Sequence, residues 1–217
     1  MEVEIAKDFW ISKPFRPSIA RTIIPNKTFN ELNEYIDKII ISNKKSNDLN
    51  LSPKLAGDVT QEFQLEKEFM SKCGWLNFLA KNVQQWIKTV IKKNITKFNL
   101  VDFWVVRQFK NEYNPIHWHG GHVSGAGFLK TSEAFGTHIQ DKGEIEYLGG
   151  TLNLVHESRQ FLSNTKLKIE PKVGDFYFFP HYLMHTVYPF KGTDEERRSI
   201  SFNEIIDENI FNVYGNR

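Results

Sequence analysis

Cysteine is nearly absent from this sequence. Cys73 is the only one in 217 residues, so no disulfide can form within the chain, and a reducing compartment is the natural setting. It lies in a stretch of helical character far from the histidines, and reads as a small apolar residue, not a nucleophile. An excess of charge is missing too. Lys and Arg total 28 against 26 Asp and Glu, a net charge of +2, too little to argue for a nucleic-acid partner. No apolar run is long enough to span a bilayer, and Met1-Glu2-Val3-Glu4-Ile5 carries acids where a signal peptide needs a basic start. These absences predict a soluble, cytoplasmic protein with no nucleic-acid and no membrane partner.

What is present suffices for a sizeable core, with 40% hydrophobic and 14% aromatic residues, and the length predicts one domain over residues 1–217. Pro14, Pro17 and Pro25 break residues 1–26 into one or two edge strands. Thr28-Phe29-Asn30-Glu31 has the form of a capping box opening a helix, and Phe29, Leu32, Ile36, Ile39 and Ile40 keep helical spacing after it. Residues 43–60 read as polar loop, and 61–71 as a second helical stretch. From Trp75 to Ile91 a wide apolar stripe runs over five turns, which we read as core. Beyond Asn99 the period becomes strand-like, with strands expected at 100–109, 123–129, 146–155, 167–169, 175–179 and 199–205. Helices first and short strands afterwards predict an α+β fold, with helices packed on one face of an antiparallel sandwich or barrel.

Three of the seven histidines fall within six residues, at His117, His119 and His122. Alternation along a strand points His117 and His119 to one face, whereas His122 falls off it. A lone pair of this kind is more often structural. Here Gly120-Gly121 and Ser124-Gly125-Ala126-Gly127 surround it with small residues, which allow close approach of a ligand or backbone. His185 follows a glycine turn, a buried-looking strand and Pro180, with His181 as its competitor. Two imidazoles from one strand and a third from a distant one make a facial set with open positions, the arrangement that suits catalytic non-haem Fe(II). On the last strand, Arg197, Ser199, Ser201 and Asn203 share one face, and Arg198, Ile200 and Phe202 the other. A polar inner face implies a cavity, in which Arg197 is a buried cation awaiting an anion. For Arg198 a surface ion pair with Asp194, Glu195 or Glu196 is expected.

The ordered set His117-Trp118-His119, Ser124-Gly125-Ala126-Gly127-Phe128-Leu129, Phe179-Pro180 through His185-Thr186-Val187, and Arg197-Arg198-Ser199-Ile200-Ser201-Phe202-Asn203 resembles the 2-oxoglutarate/Fe(II)-dependent oxygenases. It is closest to their bacterial and phage subgroup with a His-x-His motif, and covers the second half of the chain, from Trp104 to Asn203. The resemblance implies a double-stranded β-helix, a form of jelly roll. Residues 1–99 would supply edge strands and helices, 100–206 the jelly-roll core and 207–217 a C-terminal tail. It implies Fe(II) held by His117, His119 and His185, and 2-oxoglutarate as cosubstrate, its far carboxylate on Arg197 and Ser199 with Asn114 nearby. The activity implied is a hydroxylase that couples C–H oxidation to decarboxylation of 2-oxoglutarate to succinate. Position 119 departs from the family, most of which carries an acid there, so the metal set loses one negative charge.

Two other classes stay open at this stage. A three-histidine cupin-like dioxygenase would use oxygen without 2-oxoglutarate and would need no inward arginine. A non-catalytic jelly-roll binding protein would carry the histidines as relics. The sequence leaves the prime substrate open, small-molecule or peptidyl, and leaves a homodimer open.

Overall fold

In the computed structural model, which describes residues 2–12, 17–158 and 164–213, the strands arrange as two antiparallel sheets. Strands β1 (Glu2–Ala6), β2 (Phe9–Ser12) and β3 (Ile19–Ile23) precede helices α1 (Asn26–Ile41) and α2 (Asn43–Asp48). A 3-10 turn at Ser52–Lys54 leads to β4 (Gln61–Gln64), α3 (Lys67–Lys72) and α4 (Trp75–Ile91). The remainder is β5 (Phe98–Gln108), β6 (Asn114–His117), β7 (Val123–Lys130), β8 (Leu152–Val155), β9 (Lys166–Ile169), β10 (Asp175–Pro180), β11 (Met184–Val187), β12 (Arg197–Ile206) and the short α5 (Glu208–Phe211). The larger sheet runs β1-β2-β3-β10-β7-β12-β5-β4 and the smaller β6-β11-β8-β9. From β5 to β12 the chain passes back and forth between the sheets, with β8 and β9 the one adjacent pair that stays in the same sheet, as in a double-stranded β-helix, and the α+β, mainly β expectation holds.

Alternation along the large sheet separates two cores. Phe103, Val105, Phe176, Phe178, Ile200 and Phe202 face outward and pack beneath Leu32, Ile36 and Ile39 of α1 and Trp75, Leu79, Val83 and Trp86 of α4. Burial of each such side chain stabilises by about 1.5–3 kcal/mol, so the helices are held to the sheet by this face. Between the sheets lies a smaller cluster of Ile19, Phe128, Leu152, Leu154, Phe179 and Val187. Gly125 and Gly127 of β7 serve the outer core: a Cβ at either would collide with the Phe176 ring. The small residues that hinted at ligand approach therefore divide their work, and Ala126 is the one whose side chain turns to the inner cavity, where Gly125 contributes backbone alone.

Several local expectations are corrected. The first 26 residues form three strands, not one or two, with β3 pairing to β10 and extending the large sheet. Helix α1 starts at Asn26 behind Pro25, two residues before the expected box, and the Thr28 hydroxyl donates instead to the Cys73 carbonyl at 3.0 Å. Cys73 is buried, as its small apolar reading required. Residues 43–60 hold α2 and the 3-10 turn as well as loop. Residues 61–64 form an edge strand against β5, and the helix in the expected 61–71 stretch is confined to α3. The strand expected over 146–155 is reduced to β8. Pro14 and residues 214–217 of the anticipated tail lie outside the described residues.

Candidate metal centre and its cavity

The three histidines converge where the sheets face each other. His117 closes β6 and sits directly opposite His185 in the β6–β11 pairing, which brings their ring centroids to 4.3 Å. His119 is past the end of β6, so the pair does not share one strand. Its imidazole arrives by a loop whose course is pinned to residue 181: the His119 amide donates to the His181 carbonyl at 3.2 Å. In return, His181 Nδ1 bonds the His119 carbonyl at 2.9 Å. His119 Nε2 then stands 3.0 Å from His185 Nε2, and one ligating atom from each of the three rings lies within 4.8 Å of the others.

The tautomers favour coordination. His117 Nδ1 bonds the Pro115 carbonyl at 2.7 Å and His185 Nδ1 the Leu183 carbonyl at 3.0 Å. A carbonyl can only accept, so each Nδ1 carries the proton and each Nε2 keeps its lone pair for the cavity. Burial, and then the neighbouring imidazoles, push His119 down to about 4 and His185 to about 3. Burial lowers His117 as well. All three are therefore neutral at physiological pH, the state in which imidazole binds a metal. Trp104 packs edge-on to His119 at 5.4 Å and Phe179 to His185 at 5.2 Å. His122 and His181 are not part of the set: His122 stacks on Phe211, with ring centroids 3.8 Å apart.

A cavity of about 240 Å³ opens beside the imidazoles, and Arg197, Ser199 and Asn114 line it along with Ser201. Arg197 points inward, as strand alternation predicts. It is buried, its Nε donates to the Gly150 carbonyl at 2.8 Å and its Nη1 reaches Ser199 Oγ at 3.4 Å. No acid pairs with it among the described residues, and burial alone pulls its guanidinium down to about 10. Such a cation is complementary to a carboxylate from outside the chain. Arg198 points away, but it is not at the surface. It is buried under α1, bonded to Asp37 at 2.7 Å, to Asn33 at 2.9 Å and to Glu196 at 2.7 Å. Glu196 was among the expected partners; Asp37 and Asn33, distant in sequence, were not.

Two features went unread in the sequence. The Gly150 carbonyl that holds Arg197 left no side-chain signal. Glu62, a buried acid lining the same cavity, sat in a stretch whose spacing looked helical.

Two antiparallel sheets that enclose three uncharged imidazoles and an acid-free arginine define a jelly-roll metalloprotein with room for an anionic cosubstrate. Residues 102–203 match the family model described as "Putative 2OG-Fe(II) oxygenase". That match, over the jelly-roll core, indicates a 2-oxoglutarate/Fe(II)-dependent oxygenase, an oxidoreductase that uses Fe(II) and 2-oxoglutarate. Among solved structures, a Pseudomonas putida prolyl-4-hydroxylase is similar with a TM-score of 0.56 and 15% identity, covering 85% of this chain and 91% of that one. The viral collagen prolyl hydroxylase of Paramecium Bursaria Chlorella virus-1, in its 2-oxoglutarate complex, gives 0.52 and 18%, covering 86% and 96%. AviO1 from Streptomyces viridochromogenes Tue57 gives 0.55 and 11%, covering 88% and 90%. At these identities the solved structures speak for the fold alone. No curated protein matches the sequence. Among the described residues no helix is long and apolar enough to cross a membrane.

Proposed function

We propose that the protein is a hydroxylase in which His117, His119 and His185 hold Fe(II), and Arg197 with Ser199 holds the far carboxylate of 2-oxoglutarate. The observation that carries the reading is the pairing of three neutral, convergent imidazoles with a buried arginine that has no acid partner among the described residues. When bound, the iron supplies oxygen activation coupled to decarboxylation of 2-oxoglutarate to succinate and carbon dioxide. The protein orients and encloses. Pro115 and Leu183 hold two imidazoles in the ligating tautomer, Arg197 and Ser199 fix one end of the cosubstrate, and Asn114 stands on the adjacent wall. Trp104, Val106, Phe179 and Leu152 line the space between and keep water out. A cupin-like reaction without 2-oxoglutarate has no use for an inward Arg197, which favours the present reading. The test is anaerobic titration of 2-oxoglutarate into the Fe(II)-loaded protein, followed by succinate release with oxygen across a substrate panel. A visible chelate band and substrate-stimulated succinate support hydroxylation; Fe(II) binding without a chelate band would return the cupin-like reading.

A further inference from the structure

The cavity contains one buried charged group for which metal and cosubstrate have no use. Glu62 is buried on β4, and it is the only acid among the described residues that line the cavity. Its Oε2 is enclosed and has no hydrogen-bond partner among the described residues. The backbone is fixed on both sides, because the Glu62 amide donates to Ser52 Oγ at 2.9 Å and its carbonyl accepts from the Leu51 amide at 2.7 Å. The backbone that presents this side chain to the cavity is therefore held in place. Pairing of Glu62 with Val106, and of Gln64 with Trp104, sets it one strand, roughly 5 Å, beyond the shelf that touches His119.

A buried carboxyl without a donor is costly. Burial, and then the charge of Glu112, push Glu62 up to about 7. The oxygens of Glu112 are themselves engaged by the Thr60 hydroxyl and amide and by the Phe109 amide. No Lys or Arg forms an ion pair with either acid among the described residues. The electrostatic deficit at this wall is positive charge. Position 62 also lies outside the stretch 102–203 that matches the family, so it is a feature of this chain's own N-terminal half.

We propose that Glu62 receives the cationic group of the prime substrate, an ammonium or guanidinium, so that the enzyme is selective for amine-bearing substrates. The inference rests on the oxygenase reading of this cavity and names the substrate class for it. The substrate lies across Trp104 and Val106, its cation on Glu62 and its oxidisable C–H toward the imidazoles.

Calorimetry on the anaerobic protein loaded with Fe(II) and 2-oxoglutarate tests this with three probes of one length: hexylammonium, hexanol and hexanoate. The expected result is at least a tenfold preference for hexylammonium over hexanol, with hexanoate weakest, and loss of that preference in Glu62→Gln. Equal binding of all three, or a preference that survives Glu62→Gln, overturns the proposal. Should Glu62→Gln fail to show a cooperative melt, Glu62→Asp serves instead and must weaken the preference without abolishing it. The chelate band, recorded on the same samples, reports the oxygenase reading separately: its absence from the unmutated protein defeats that reading, whereas a normal band without amine preference defeats only this one.

Discussion

Arg197 and Arg198 are adjacent, both buried, and face opposite sides of one strand, the first toward the cavity and the second toward α1. Their substitutions should therefore fail in different ways. Arg197→Ala removes a charge-assisted pair worth on the order of 1.5–3 kcal/mol per hydrogen bond, so 2-oxoglutarate should bind roughly tenfold to a hundredfold more weakly or worse, with Fe(II) retained. Arg198→Ala should leave cosubstrate binding intact in the folded fraction while lowering stability by about 3 kcal/mol, since it removes the buried partner of Glu196 and leaves that acid to Arg107 and the half-exposed Lys130. Chelate titration and denaturant melts of both variants check the split. Equal loss of 2-oxoglutarate binding in both would contradict it.

For the metal, His117→Ala and His185→Ala should each weaken Fe(II) binding by at least about a hundredfold, more than loss of an outer-sphere partner costs. His122→Ala should leave binding unchanged, because that ring stacks on Phe211 and does not join the set. Metal content after anaerobic loading and desalting is the readout, and a His122→Ala defect as large as that of His117→Ala would refute the ligand assignment.

His119 is the proposed ligand held by a loop and the one that departs from the commoner acid. His119→Asp should retain Fe(II), since a carboxylate restores a negative charge to the site, and His119→Ala should weaken it. A crystal soaked with Mn(II) in which His119 turns away from the ion would count against any role for that ring.

Stability should fall at alkaline pH through Glu204. Its carboxyl is buried, neither oxygen has a partner among the described residues, and burial pushes it from the ordinary 4.5 up to about 9. Between those values the native state keeps a proton that the unfolded chain has released. This contribution is thus complete below about 4.5 and is lost progressively as pH rises through about 9. Glu204→Gln should flatten the decline, seen as a gap in melting temperature between variant and parent that widens from pH 5 to pH 9. A constant gap would mean that the acid is ionised in the native protein.

Much of the site was legible in the sequence because strands advertise their faces. Two-residue alternation placed Arg197 and Ser199 together and sent Ile200 and Phe202 to the helices, and the α4 stripe marked its own buried side. What escaped depends on contacts distant along the chain. Burial of Arg198 needs Asp37 and Asn33, some 160 residues earlier. Strands β4 and β11 have four residues each, too few to establish a period, and β4 earns its conformation only by pairing with β5. His119 lies on a loop because the chain leaves β6 at His117, an event that local spacing does not encode.

The large sheet is a wall one residue thick, and that makes β7 and β12 intolerant of a change in length. Exchange of a side chain at Ala126 or Ser201 alters the cavity alone, and exchange at Ile200 or Phe202 alters the helix side alone. Deletion of one residue between Ser199 and Phe202 would carry every later side chain of the strand to the wrong side of the wall, and would turn the Phe202 ring into the space meant for substrate and the Asn203 amide into the apolar layer beneath the helices. Point changes can therefore retune such an oxygenase for a new substrate without disturbing its fold, whereas insertions and deletions are confined to the loops between strands.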